Sequence, residues 1–121
     1  MNKLILGTML ALTMVTQGAA ETRFLADMDD MPLAPGLAEI EAERLVFDKA
    51  EGRILRTAAS GVTTADAVRD FYLTTLPALG WRVTGTEAGY LMLDREHERL
   101  EILIEGTRPV FVRFALQPRH Q

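Results

Sequence analysis

The chain of 121 residues contains no cysteine, which excludes disulfides, a thiol nucleophile and the lipid-carrying cysteine of a lipoprotein. Lysine is nearly missing as well: Lys3 and Lys49 stand beside eleven arginines, a bias that reads as GC-rich coding rather than as a set of carboxylate or phosphate contacts. Only two histidines occur, His97 and His120, without the helical pair spacing of a zinc motif. No GxGxxG or GxxxxGK string is present, so no glycine-rich phosphate loop is expected. No apolar run reaches the roughly 20 residues that a membrane-spanning helix requires.

What is present begins with a leader. Lys3, an apolar stretch from Leu4 to Val15, and the small residues Gly18 and Ala20 have the three-part pattern of a cleavable secretory signal. Residues 1–20 are therefore expected to be a signal peptide, cut after Ala20, and the product a soluble periplasmic or secreted protein with no membrane span and no lipid anchor. Loss of Lys3 changes the net charge from −4 to −5, which disfavours nucleic acid and anionic membranes as partners. With no disulfide available, the domain must stand on its hydrophobic core alone, at a size where stability is modest.

The next segment, 21–38, carries Asp27, Asp29 and Asp30, then two prolines and a glycine, and reads as an acidic arm or linker rather than a packed element, either loose or pinned to the domain surface by Leu33 and Leu37. Glu39, Glu41 and Glu43 alternate before the first strand and read as its solvent side. Residues 44–48 and 53–59 form a hairpin around Lys49–Gly52. Thr63, with Asp66 three residues later, has the spacing of a capping box. Val68, Phe71, Tyr72, Leu76 and Leu79 then fall on one helical stripe, with Arg69, Asp70 and Thr74 opposite. Pro77 and Gly80 stop this helix near residues 76–79. Beyond it the period becomes two: Trp81 and Val83, residues 90–94, Leu100 to Ile104, and Val110 to Leu116 describe four strands joined by short turns, which favours antiparallel pairing. The expected fold is α+β, a two-layer sandwich of order ββαββββ with one helix on one face of an antiparallel sheet, spanning 39–118 with a tail at 119–121.

Alternation also divides the sheet into two faces. One bears Trp81, Val83, Leu91, Leu93, Leu100, Ile102, Ile104, Val110, Val112 and Phe114. The other bears Arg82, Thr84, Tyr90, Met92, Asp94, Glu101, Leu103, Glu105, Phe111 and Arg113, and four large apolar side chains among its charges are more than a merely wetted face needs. Either Tyr90, Met92, Leu103 and Phe111 adjoin, with Arg82 and Arg113, as a binding or dimer surface, or they are scattered singly or covered by the arm.

No catalytic constellation accompanies this pattern. Ser60 sits in a Ser-Gly turn without the glycines of a nucleophile elbow, and His97 between Glu96 and Glu98 reads as a solvated turn residue. The aspartates of the arm lack the glycine and distal glutamate of a calcium loop. No cofactor or metal is expected.

The run Phe71-Tyr72-Leu73-Thr74-Thr75-Leu76-Pro77-Ala78-Leu79-Gly80-Trp81 resembles a helix-to-strand motif of small exported bacterial proteins of unknown function, and residues 47–54 resemble the hairpin that precedes their helix. The resemblance implies a fold and an exported destination, with no catalytic residue. The expectation is a non-catalytic exported domain that binds an envelope protein, or itself, through the second sheet face. The alternative is a small-ligand carrier or hydrolase with a site between helix and sheet, near Tyr72, Trp81 and Arg56.

Overall fold

The computed structural model describes residues 22–119; the expected signal peptide and His120 lie outside them. Nine strands and one α-helix are present among the described residues. A small hairpin, β1 (Phe24–Leu25) with β2 (Met28–Pro32), precedes β3 (Leu37–Glu39), a 3-10 turn at Glu41–Glu43, β4 (Leu45–Lys49) and β5 (Gly52–Gly61). Helix α1 (Ala65–Ala78) follows, then β6 (Arg82–Glu87), β7 (Tyr90–Arg95), β8 (Glu98–Glu105) and β9 (Val110–Pro118). The α+β class and its antiparallel sheet agree with the sequence pattern, but the strand order ββαββββ is too short by β1, β2 and β3.

The main sheet runs β3-β5-β9-β8-β7-β6, with β4 also on β5, and every pairing is antiparallel. Strand β5 is long enough to hold two partners on one side in succession: Glu39 pairs with Ala59, and Leu45 with Arg56. The helix then carries the chain from β5, near one edge, to β6 at the other. Its first turn is capped by Thr64, whose Oγ1 accepts the Ala67 N–H at 3.1 Å. The expected Thr63–Asp66 box is thus displaced by one residue, because Thr64 has the extended conformation that lets a side chain reach back. At the other end Gly80, at φ +94°, turns the chain so that its N–H and that of Trp81 reach the carbonyls of Pro77 and Leu76. Pro77 fits the last helical turn here, its carbonyl accepting a bond while its nitrogen has none to give.

Val68, Tyr72 and Leu76 of the stripe are buried, whereas Leu79 is exposed. They lie on the sheet face formed by Leu91, Leu93, Leu100, Ile102, Val110, Val112, Phe114 and Leu116. The helix does not cover that face alone. Leu25, Met28, Met31, Leu33, Ala34 and Leu37 belong to the same core, Met31 with no exposed surface at all. Residues 22–38 are therefore not a linker: the segment folds as a hairpin and strand and completes the helix-side layer.

Polar contacts fix the hairpin in place. The Tyr72 hydroxyl donates to Pro32 O at 3.0 Å and accepts from Ala34 N at 3.2 Å, and burial pushes its phenol far above the ordinary pKa. Arg95 donates to Asp30 Oδ2 at 2.6 Å while its guanidinium lies 4.3 Å from the centre of the Trp81 ring. Glu39, expected on the solvent side, instead accepts from the Thr57 hydroxyl at 2.6 Å and from Ala26 N at 3.0 Å. Glu41 and Glu43 are in the 3-10 turn, so the alternation of the three glutamates is not that of a strand.

Candidate functional site

With hairpin and helix on one side, the other face of the sheet is left without a covering element among the described residues. Register sets its rows. Leu103 lies between Tyr90 on β7 and Arg113 on β9, and Arg113 adjoins Ala58 on β5. In the next row Glu101 lies between Met92 and Ala115, Ala115 adjoins Arg56, and Arg56 adjoins Leu45. Two alanines thus occupy the middle strands, while larger side chains stand on both sides.

The result is a concavity of about 480 Å³. Ala58 and Ala115 form its floor; Tyr90, Glu101 and Leu103 line one side, Glu43, Leu45 and Arg56 the other, and Arg113 and Gln117 lie along it. Its walls are mixed in character, with two guanidinium groups, two carboxylates, a phenol and two leucines. Burial and the neighbouring Glu101 carboxylate push the Tyr90 phenol above its ordinary value, so Tyr90 presents a neutral hydroxyl at neutral pH.

Three of the six residues expected at this face, Tyr90, Leu103 and Arg113, come together in the concavity. Phe111 sits one row further out, opposite Glu105 and Ser60, with the Arg113 guanidinium 5.2 Å from its ring centre. Met92 adjoins Glu101 and Gly85. Arg82 stands apart, opposite Asp94. The strict alternation expected for β6 fails here, because a bulge between Val83 and Gly85 makes Thr84 an extra residue, its hydroxyl donating to Met92 O at 3.2 Å.

Sequence reasoning missed Leu45, Ala58 and Ala115 and set Arg56 between helix and sheet, since nothing local shows that β5 pairs with β9. The period-two pattern Ile54, Arg56, Ala58 would have placed them on one face once that pairing was known.

A second polar group lies toward the far end of the same face. Asp94, only 4% exposed, is held by Arg99 through two hydrogen bonds of 2.9 and 3.2 Å, with Arg119 at 3.6 Å. The Arg99 hydrogen bonds hold its carboxyl below the ordinary value, against the opposing effect of desolvation. This carboxylate is satisfied and serves to tie β7, β8 and the end of β9 together.

Among the described residues no serine or histidine lines the concavity. His97 is exposed in the turn between β7 and β8, and its carbonyl accepts the Arg119 N–H. Among the described residues no three His, Asp or Glu side chains come together as a metal site, and no helix is long and apolar enough to cross a membrane. The site expected between helix and sheet is not assembled: Tyr72 and Trp81 are 0% and 2% exposed in close packing, and Arg56 faces the opposite side. No protein-family model, curated protein or solved structure matches the chain.

Proposed function

We propose that the chain is an exported, soluble, non-catalytic domain that binds a protein, in the cell envelope or in the form of a second copy, through the sheet face turned away from the helix. The observation that carries this reading is the concavity over Ala58 and Ala115, where Leu103, Leu45 and Tyr90 stand beside Arg56 and Arg113. Apolar contact area rimmed by guanidinium and carboxylate groups suits a protein surface, where aromatic and arginine side chains dominate binding energy. The three-part leader and the resemblance of residues 71–81 to exported bacterial proteins support a periplasmic or secreted destination.

The double substitution Leu103→Glu, Phe111→Glu tests it. The variant is expected to keep its far-UV circular dichroism and thermal midpoint, and to lose capture of the partner or self-association. An unchanged elution profile together with unchanged pull-down would falsify the assignment of this face.

A further inference from the structure

Among the described residues the main sheet has two sides with no further strand, and they are built differently. At one, β6 reads Arg-Val-Thr-Gly-Thr-Glu and contains the bulge at Thr84, features that discourage another strand from adding. At the other, β3 and β4 follow each other along β5. Strand β4 has no proline and no bulge, and Leu45, Val46 and Phe47 are 47%, 44% and 51% exposed. Three consecutive apolar residues on an open strand are a liability unless something pairs with them.

The hydrogen-bonding pattern of the hairpin says which backbone groups are available. Lys49 and Gly52 pair across the two-residue loop Ala50-Glu51, so they form a hydrogen-bonded pair. Alternation then turns the N–H and C=O of Leu45, Phe47 and Lys49 toward β5, and those of Val46 and Asp48 outward.

We propose that the chain forms a twofold dimer by antiparallel pairing of β4 with β4 of a second copy, centred on Val46. The stretch Arg44-Leu45-Val46-Phe47-Asp48 is complementary to itself when reversed. Val46 meets Val46, Leu45 meets Phe47, and Arg44, extended just before β4 with its N–H already on Glu41 O, meets Asp48. Val46 and Asp48, whose backbone groups point outward, fall at the hydrogen-bonded positions of the new pair. Charge complementarity selects the register: sliding by two residues sets Val46 against Asp48 and Leu45 against Lys49, and sliding by one flips the faces. Among the described residues Asp48 has no ion-pair partner, while Arg44 is held by Glu41 at 2.7 Å with Asp27 at 4.0 Å.

Residues directly opposite in such a pair share a face, so the two open faces would form one continuous surface with Leu45 and Phe47 bridging the two concavities. The dimer does not depend on the binding role proposed for the face itself.

Sedimentation over a range of concentrations, on protein recovered from cells expressing the full sequence, is the test. A dimer is expected, and Val46→Lys, which opposes two like charges on the twofold axis, should return it to a monomer. Arg44→Asp and Asp48→Arg should each raise the dissociation constant by about tenfold or more, and the two combined should restore it. The natural absence of cysteine gives a second readout. Opposed residues at a hydrogen-bonded position have Cα atoms about 5.5 Å apart, within disulfide reach. Val46→Cys should therefore oxidise to a covalent dimer, and Val62→Cys, at a site 81% exposed beyond the end of β5, should not.

A monomer at every concentration overturns the proposal, as does a dimer indifferent to Val46→Lys or equal cross-linking at positions 46 and 62. Should Val46→Lys fail to fold, the cysteine comparison decides. A dimer lost with Leu103→Glu, Phe111→Glu but kept with Val46→Lys overturns edge pairing and leaves the open-face reading standing; the opposite result upholds edge pairing and leaves the open-face reading to the pull-down.

Discussion

On strand β8, Leu100, Ile102 and Ile104 lie under the helix-side layer, whereas Glu101 and Leu103, from the same strand, look out over the concavity. The two faces are made by one backbone and one set of hydrogen bonds, so the difference between them comes from what lies on each. The covered face carries α1 and the β1–β2 hairpin and holds nearly all the large buried side chains. The open face has a half-buried, mixed population and an alanine floor. Stability should therefore reside on one side of the sheet and recognition on the other, and substitutions can test that division.

The largest effect is expected from Met31→Ala, because Met31 has no exposed surface and lies in the hairpin that completes the covered layer. A loss of about 2–5 kcal/mol, read from urea unfolding, follows from the cavity left behind; a loose arm would cost nothing. Tyr72→Phe comes next, at about 1–2 kcal/mol, since it removes the donor to Pro32 O and leaves Ala34 N without its acceptor.

Asp94→Asn should cost about 1–2 kcal/mol at neutral pH, as Arg99 is partly exposed and water screens the pair. The sign of its pH dependence follows from the lowered carboxyl pKa. The stabilisation is fully present above the unfolded value near 3.8 and is lost as pH falls through the lower folded value. Midpoints of wild type and variant should thus converge on acidification, and a constant gap down to pH 2 would contradict the ion-pair account. Smallest of all in stability is the Leu103→Glu, Phe111→Glu change, within about 0.5 kcal/mol per site, although it should have the largest effect on binding.

Much of the fold from residue 44 onward is legible in the sequence because local patterns specify it. Period two in 90–94, 100–104 and 110–116, the stripe through Val68, Tyr72 and Leu76, and the Gly80 stop all depend on neighbours a few residues away. The hairpin at 24–32 is not legible in this way. Asp29 and Asp30 stand together between Met28 and Met31 and break both periodicities, and the prolines that follow read as loop signals. Its burial is secured by Tyr72 and Arg95, residues distant in the chain. The candidate site divides likewise: Tyr90, Leu103 and Arg113 were placed on one face by alternation, but the floor and far wall required the pairing of β5 with β9.

The sequence by itself determined which side chains of each strand share a face, since the alternation of a strand is a local property of the backbone. Only the tertiary structure decided that the hairpin at 24–32 shares the covered face with the helix, and which strand would be left with an open edge. Those outcomes depend on contacts between segments far apart in the chain, and no local period carries them.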